Sequence, residues 1–312
     1  MKGNHRVTVR LLGLLTLPAC TVRDAWTPTQ ETCGLAEPLE LALIKPGDDG
    51  ERHSLVPPAG CADALLADLS ADSLAMLDDL GVAGTLDEHV EDVRTGATPL
   101  DGLAVLVWGM YWLAGADLGA VGDLEESEYA DPVWVEDFNR LAREQKLDGQ
   151  APLAQVLYNE VSRRVAGVGW FPDDAPEDAG AGMQQGTHKL HVPRPEQITQ
   201  DALWPTDSYS PDGTAWGLVH ESVHARLDGR RHIECASPAF EVGRFCDADL
   251  SGAYGAAFTV AWAQVAAGMG GAGCIPWDEA GDVVYVDLTT VGAVWSAMVL
   301  EPLPETVPGR CP

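Results

Sequence analysis

Trp216-Gly217-Leu218-Val219-His220-Glu221-Ser222-Val223-His224-Ala225-Arg226-Leu227-Asp228-Gly229-Arg230-Arg231-His232 is the stretch on which the reading of this 312-residue chain turns. Apolar Trp216, Val219, Val223 and Leu227 recur at i, i+3, i+7 and i+11, which predicts a helix over about 214–228 with one side packed into a core. Asp212 or Thr214 is a candidate cap for its start, and Gly229 is placed to end it. On such a helix His220 and His224 lie one turn apart on one face, where two imidazoles can hold a single metal ion. Glu221 follows the first histidine and is placed beside such a metal, where its carboxylate can accept a proton from water. Three of the chain's eight histidines fall between 220 and 232, which weighs against two histidines merely solvated on a surface helix. Arg226, Arg230 and Arg231 meet the negative end of the helix dipole, and a contact to a substrate carboxylate is the sharper reading of them.

The run His220-Glu221-Ser222-Val223-His224 resembles the HExxH signature of the zincin metalloproteases. The resemblance covers this helix and a little beyond it. It implies Zn2+ as cofactor, a peptide or protein substrate, and hydrolysis by a zinc-activated water with Glu221 as general base. It also implies a third protein ligand, for which two routes stay open. Gly229-Arg230-Arg231-His232 is similar to the glycine-to-histidine step of metzincins, although two more residues separate His224 from Gly229 than that pattern has. Asp247 and Asp249, ahead of Tyr254-Gly255, look like the aspartate of aspzincins, with a longer spacing to the tyrosine; Glu241 is a further candidate. Tyr254 would donate a hydrogen bond to the oxyanion of the transition state. His188 and His191, three apart on an expected strand, would point to opposite faces and are read as polar strand or loop residues, not a second metal site.

Outward from this helix the chain reads as mixed α+β, mostly helical, with a small sheet beside the HExxH helix. Helices are expected over 62–80, 86–94, 103–116, 133–146 and 153–166, then over 250–267 and 289–300. The fourteen uncharged residues of 103–116 predict a buried core helix, since a membrane span needs about twenty. Residues 187–192 and 283–288 alternate like strands, and the Pro-, Asp- and Gly-rich loop after Trp170 is the expected boundary. Four regions result: 1–19 a signal peptide, 20–60 a tether and a loosely structured approach to the domain, 61–170 a helical region, and 171–312 the metal-site region.

Met1 to Arg10 carries Lys2, Arg6 and Arg10 and no acid; an apolar run then ends at Leu17-Pro18-Ala19-Cys20. This layout of a secretory leader resembles the bacterial lipobox at its end. The resemblance implies export to the cell envelope, a lipid on Cys20 and, because Thr21 follows instead of aspartate, an outer-membrane destination. The six other cysteines, Cys33, Cys61, Cys235, Cys246, Cys274 and Cys311, suit disulfides in an oxidising compartment. Pairing neighbours in sequence would give Cys33–Cys61, Cys235–Cys246 and Cys274–Cys311, among about 15 possible pairings.

The formal charge of −29 repels nucleic-acid backbones and anionic lipid, so nucleic acid is not an expected partner and a membrane is met only through the N-terminal lipid anchor. The sequence thus points to an exported, lipid-anchored zinc metallopeptidase. The competing readings are a non-catalytic envelope binding lipoprotein with a structural or absent metal, and a zinc amidase acting on cell wall.

Overall fold

The computed structural model describes residues 25–37, 39, 57–126, 132–173, 182–184, 188–197, 211–226, 233–234, 245–246, 252–266, 274–279 and 282–287. Seven helices come first: α1 (Trp26–Thr32), α2 (Cys61–Leu69), α3 (Ser73–Leu80), α4 (Leu86–Thr95), α5 (Gly102–Gly115), α6 (Pro132–Glu144) and α7 (Leu153–Arg164). Strands β1 (Gly167–Trp170), β2 (Gly182–Gln184) and β3 (Lys189–Val192) follow, then α8 (Pro211–Arg226). The two-residue strands β4 (Ile233–Glu234) and β5 (Phe245–Cys246) precede α9 (Ala253–Ala266), and β6 (Cys274–Glu279) and β7 (Asp282–Asp287) come last. The fold is α+β and mostly helical. No described helix is long and apolar enough to cross a membrane.

Helix α5 is the axis of the fold. It carries no charge and no proline, and every one of its residues is buried. Asp101 starts it by accepting a hydrogen bond from the Ala104 amide at 2.9 Å. Helix α8 lies along α5 and also packs on α7 and α9. A glycine permits the α5–α8 approach: a Cβ at Gly109 would stand 2.6 Å from Thr214 Cγ2. The apolar cluster runs from Cys33 to Ala263, so helices on both sides of residue 170 share one core.

The sheet has the order β1-β3-β2. β1 runs parallel to β3 with Val168 opposite Leu190, and β2 runs antiparallel to β3 with Met183 opposite the same residue. Leu190 and Val192 are buried while Lys189 and His191 are partly exposed, the alternation of a strand with one face on a core. β2 lies against α8, which puts the sheet beside that helix.

Several local expectations change. Residues 62–80 are two helices, not one: Ser70 is extended, and the Asp72 carboxylate accepts from the Ala75 amide at 3.1 Å to start α3 afresh. His188 is not on the strand. It occupies a turn ahead of β3 with φ of 55°, and only His191 belongs to β3. Helix α8 begins at Pro211, so Asp212 lies in its first turn and Thr214 packs inside it; neither precedes it as a cap. Within the stretch read as a tether, Trp26–Thr32 is helical and docked. The Trp26 indole and the Gln30 amide both donate to the Ala114 carbonyl, at 3.1 and 2.8 Å, and Thr29 bonds to Asp68. A Cys33–Cys61 disulfide ties the end of α1 to the start of α2, as pairing neighbours in sequence suggests. The expected helix over 289–300 lies outside the described residues.

Candidate metal centre

Helix α8 is buried on almost every side. Ala215, Trp216, Leu218, Val219, Val223 and Ala225 fill the surrounding core, so the burial is wider than a single apolar stripe. Near its N-terminal end the Trp216 indole donates to the Gln264 side-chain oxygen of α9 at 3.1 Å, with both side chains fully enclosed. Within this setting His220 is 6 % exposed and Glu221 9 %, while His224 is partly open. The pair is therefore not on a solvated surface face.

The i, i+4 spacing brings the two imidazoles together. Their Nε2 atoms stand 3.1 Å apart, and the rings meet edge to face with centroids 4.8 Å apart. Two nitrogens each about 2.0–2.1 Å from one tetrahedral zinc ion would be separated by about 3.3 Å, so the donor pair fits that ion without moving a helix turn. Two imidazole nitrogens at such a separation face each other favourably only through a shared proton or a shared cation, since each offers either a lone pair or an N–H. Glu221 Oε1 lies 4.0 Å from His220 Nε2, beside the pair and outside bonding distance of it. The arrangement can hold a cation on two neutral nitrogens and place a carboxylate within reach of a water next to it.

Among the described residues there is no group of three or more His, Cys, Asp or Glu side chains gathered as a metal site. The candidates for the third ligand, His232, Asp247, Asp249 and Glu241, lie outside the described residues, as do Cys20, Cys235 and Cys311. Two described strands bear on them. β4 and β5 pair antiparallel with Ile233 opposite Cys246. In sequence His232 is the residue before Ile233, and Asp247 is the residue after Cys246. Tyr254 belongs to the first turn of α9, the helix that packs on α8. Cys246 ends β5 and Cys274 opens β6.

Arg226 differs most from its sequence reading. It is neither a surface charge at a helix end nor a group turned to a substrate. Its side chain is 7 % exposed, its Nη1 is ion-paired with Asp137 Oδ2 of α6, and its Nε lies 3.9 Å from Glu160 Oε1 of α7. Its guanidinium carbon stands 5.8 Å from the centre of the Trp134 ring. Asp137, Glu160, Trp134 and Gln264 were not singled out from the sequence. They sit on other helices, and the only signal was a cation where an apolar residue would suit a buried helix end. No protein-family model, curated protein or solved structure matches the chain.

Proposed function

We propose that the chain is an exported zinc hydrolase, lipid-anchored through Cys20, that cleaves peptide bonds. The observation that carries the reading is the convergence of His220 Nε2 and His224 Nε2 at 3.1 Å on a buried helix, with the Glu221 carboxylate alongside. His220 and His224 would hold the ion, with His232 or one of Asp247 and Asp249 as third ligand. Zinc bound there supplies a Lewis acid that polarises a carbonyl and acidifies water. The chain's own groups do the rest. Glu221 takes the proton of the attacking water on Oε1 and returns it to the departing amine nitrogen. Burial of His220 and Glu221 would keep bulk water away from the groups that handle this proton. The Trp216–Gln264 bond and the apolar packing of Val219 and Val223 hold the helix that carries all three groups. Tyr254 would serve the oxyanion from α9.

Metal content tests the reading. Elemental analysis of the exported protein should find about one zinc per chain, and almost none in His224→Ala. Glu221→Gln should keep its zinc and lose about 100-fold or more in peptide hydrolysis. A parent that takes up no zinc after loading would overturn the metal centre. Full activity in Glu221→Gln would overturn the role of that carboxylate, and activity confined to peptidoglycan would reassign the substrate to a cell-wall amide.

A further inference from the structure

Resting on the zinc reading of α8, we infer that Arg226 is a positioning residue that sets the rotation of α8 about its own axis, and hence where the His220 and His224 nitrogens point. At about 100° per residue, Arg226 lies about 160° around the helix from His224. It faces away from the imidazole pair and cannot touch what binds there. It acts through the helix.

The apolar contacts of α8 cannot do this work alone. Packing of Trp216, Val219 and Val223 resists separation from the core, but such contacts are non-directional and tolerate small slips and rotations. Polar contacts stand at the two ends, a hydrogen bond at one and a buried ion pair at the other. The Trp216–Gln264 bond lies one turn before His220, and the Arg226 cluster begins two residues after His224. The histidines sit between them.

The cluster is a string of alternating charge across three helices. Arg140 Nη2 donates to Asp137 Oδ1 at 2.6 Å, and Asp137 Oδ2 meets Arg226. Arg226 faces Glu160, whose Oε1 accepts from Arg164 Nε at 2.9 Å. The side chains of Asp137 and Glu160 are 17 % and 5 % exposed, so Arg226 is the cation that α8 supplies to a partly buried carboxylate on α6 and an enclosed one on α7. A guanidinium has the branched, planar shape to serve both while its face lies over Trp134; an ammonium is a single point charge. Any rotation of α8 that moved the histidines would pull this guanidinium from both acids; Arg140 and Arg164 would still serve those acids, but the buried guanidinium would be left without a partner.

The test is metal affinity and ligand geometry in the full chain, apart from turnover. Zinc affinity by competition with a chromophoric chelator, and the visible absorption of the cobalt-substituted protein, would be measured for the parent, Arg226→Met, Arg226→Lys and Leu77→Ala. Leu77 is a buried residue of α3, and its truncation serves as the control for general loss of stability. Arg226→Met should lose tenfold or more in zinc affinity, within the range typical of groups that orient metal ligands, and its cobalt spectrum should shift. Arg226→Lys should keep part of the affinity, and it decides the matter if Arg226→Met does not fold. Leu77→Ala should bind zinc as the parent does despite its lower melting temperature. Parental affinity and an unchanged cobalt spectrum in the folded Arg226 variants would overturn the inference and leave the metal centre standing. So would an equal loss in Leu77→Ala. A parent that binds no zinc would overturn both.

Discussion

A buried imidazole pair is stabilised by what stands between its nitrogens. His220 and His224 face each other at 3.1 Å within a helix whose other neighbours are mostly apolar, an arrangement that a shared proton or, in the proposed function, a shared cation satisfies. Ligand that binds only the folded chain raises its stability, by about 4 kcal/mol at a free concentration 1,000 times Kd. Zinc should therefore raise the melting temperature of the parent and leave His224→Ala unmoved; equal shifts in the two would place the metal elsewhere. His191 makes the folded chain sensitive to acid. Burial, and then the charge of Lys189, hold the His191 imidazole below its ordinary value of 6.5. The folded chain thus binds fewer protons at this site than the unfolded chain in the window just below that value. Stability rises with pH across the window and falls as pH drops through it. Replacing His191 with glutamine should flatten the fall below about pH 6.5 in denaturant midpoints. A profile identical to the parent's would remove His191 as a source of acid sensitivity.

At the scale of elements, α8 depends on how closely α5 lets it approach. A methyl group at Gly109 would meet Thr214 at the start of α8, and overpacking of this kind costs about 1–3 kcal/mol. Gly109→Ala should lower the unfolding free energy from denaturant titration by that amount, whereas Gly149→Ala, where nothing stands within 4 Å of the added carbon, should not share that overpacking cost. The histidine pair of α8 was legible in sequence because i, i+4 is a local rule, decided by residues within one turn. Its all-round burial was not, because the covering residues come from α5, α7 and α9 and only one apolar stripe is visible in the helix itself. The same reasoning separates other elements. Uncharged α5 announced its own burial. The break between α2 and α3 turned on one aspartate bonding to a backbone amide, inside a leucine pattern that carries on across it. The parallel pairing of β1 with β3 joins two four-residue strands across a long connection, and Gly167-Val168-Gly169-Trp170 has too little alternation to show it. The partners of Arg226 were hidden for a related reason: an acid on an amphipathic helix looks solvated until another helix covers it.

Across the whole molecule, the N-terminal helix is held to the body by links that reach far along the chain. Trp26 and Gln30 meet the Ala114 carbonyl near the end of α5, Asp68 of α2 accepts from both Thr29 and the buried Tyr158, and the disulfide closes a sequence separation of 28 residues. The bonds of Trp26, Gln30 and Thr29 are made only while α1 is docked, and the disulfide limits how far it can leave. Closing a loop of that length restricts the unfolded chain and is worth about 3–4 kcal/mol in the chain-entropy account. Helix α1 meets α5 near its C-terminal end, about one and a half turns from Gly109, where α5 touches α8. Stability and the proposed metal centre should therefore separate. Replacing Cys33 and Cys61 together with alanine should lower the unfolding free energy by about that amount, with zinc affinity at 25 °C within a factor of two of the parent. An unchanged denaturant midpoint would overturn the chain-entropy account for this disulfide. A loss of zinc affinity in a variant still fully folded would mean that the seating of α1 is transmitted along α5 to the histidine pair.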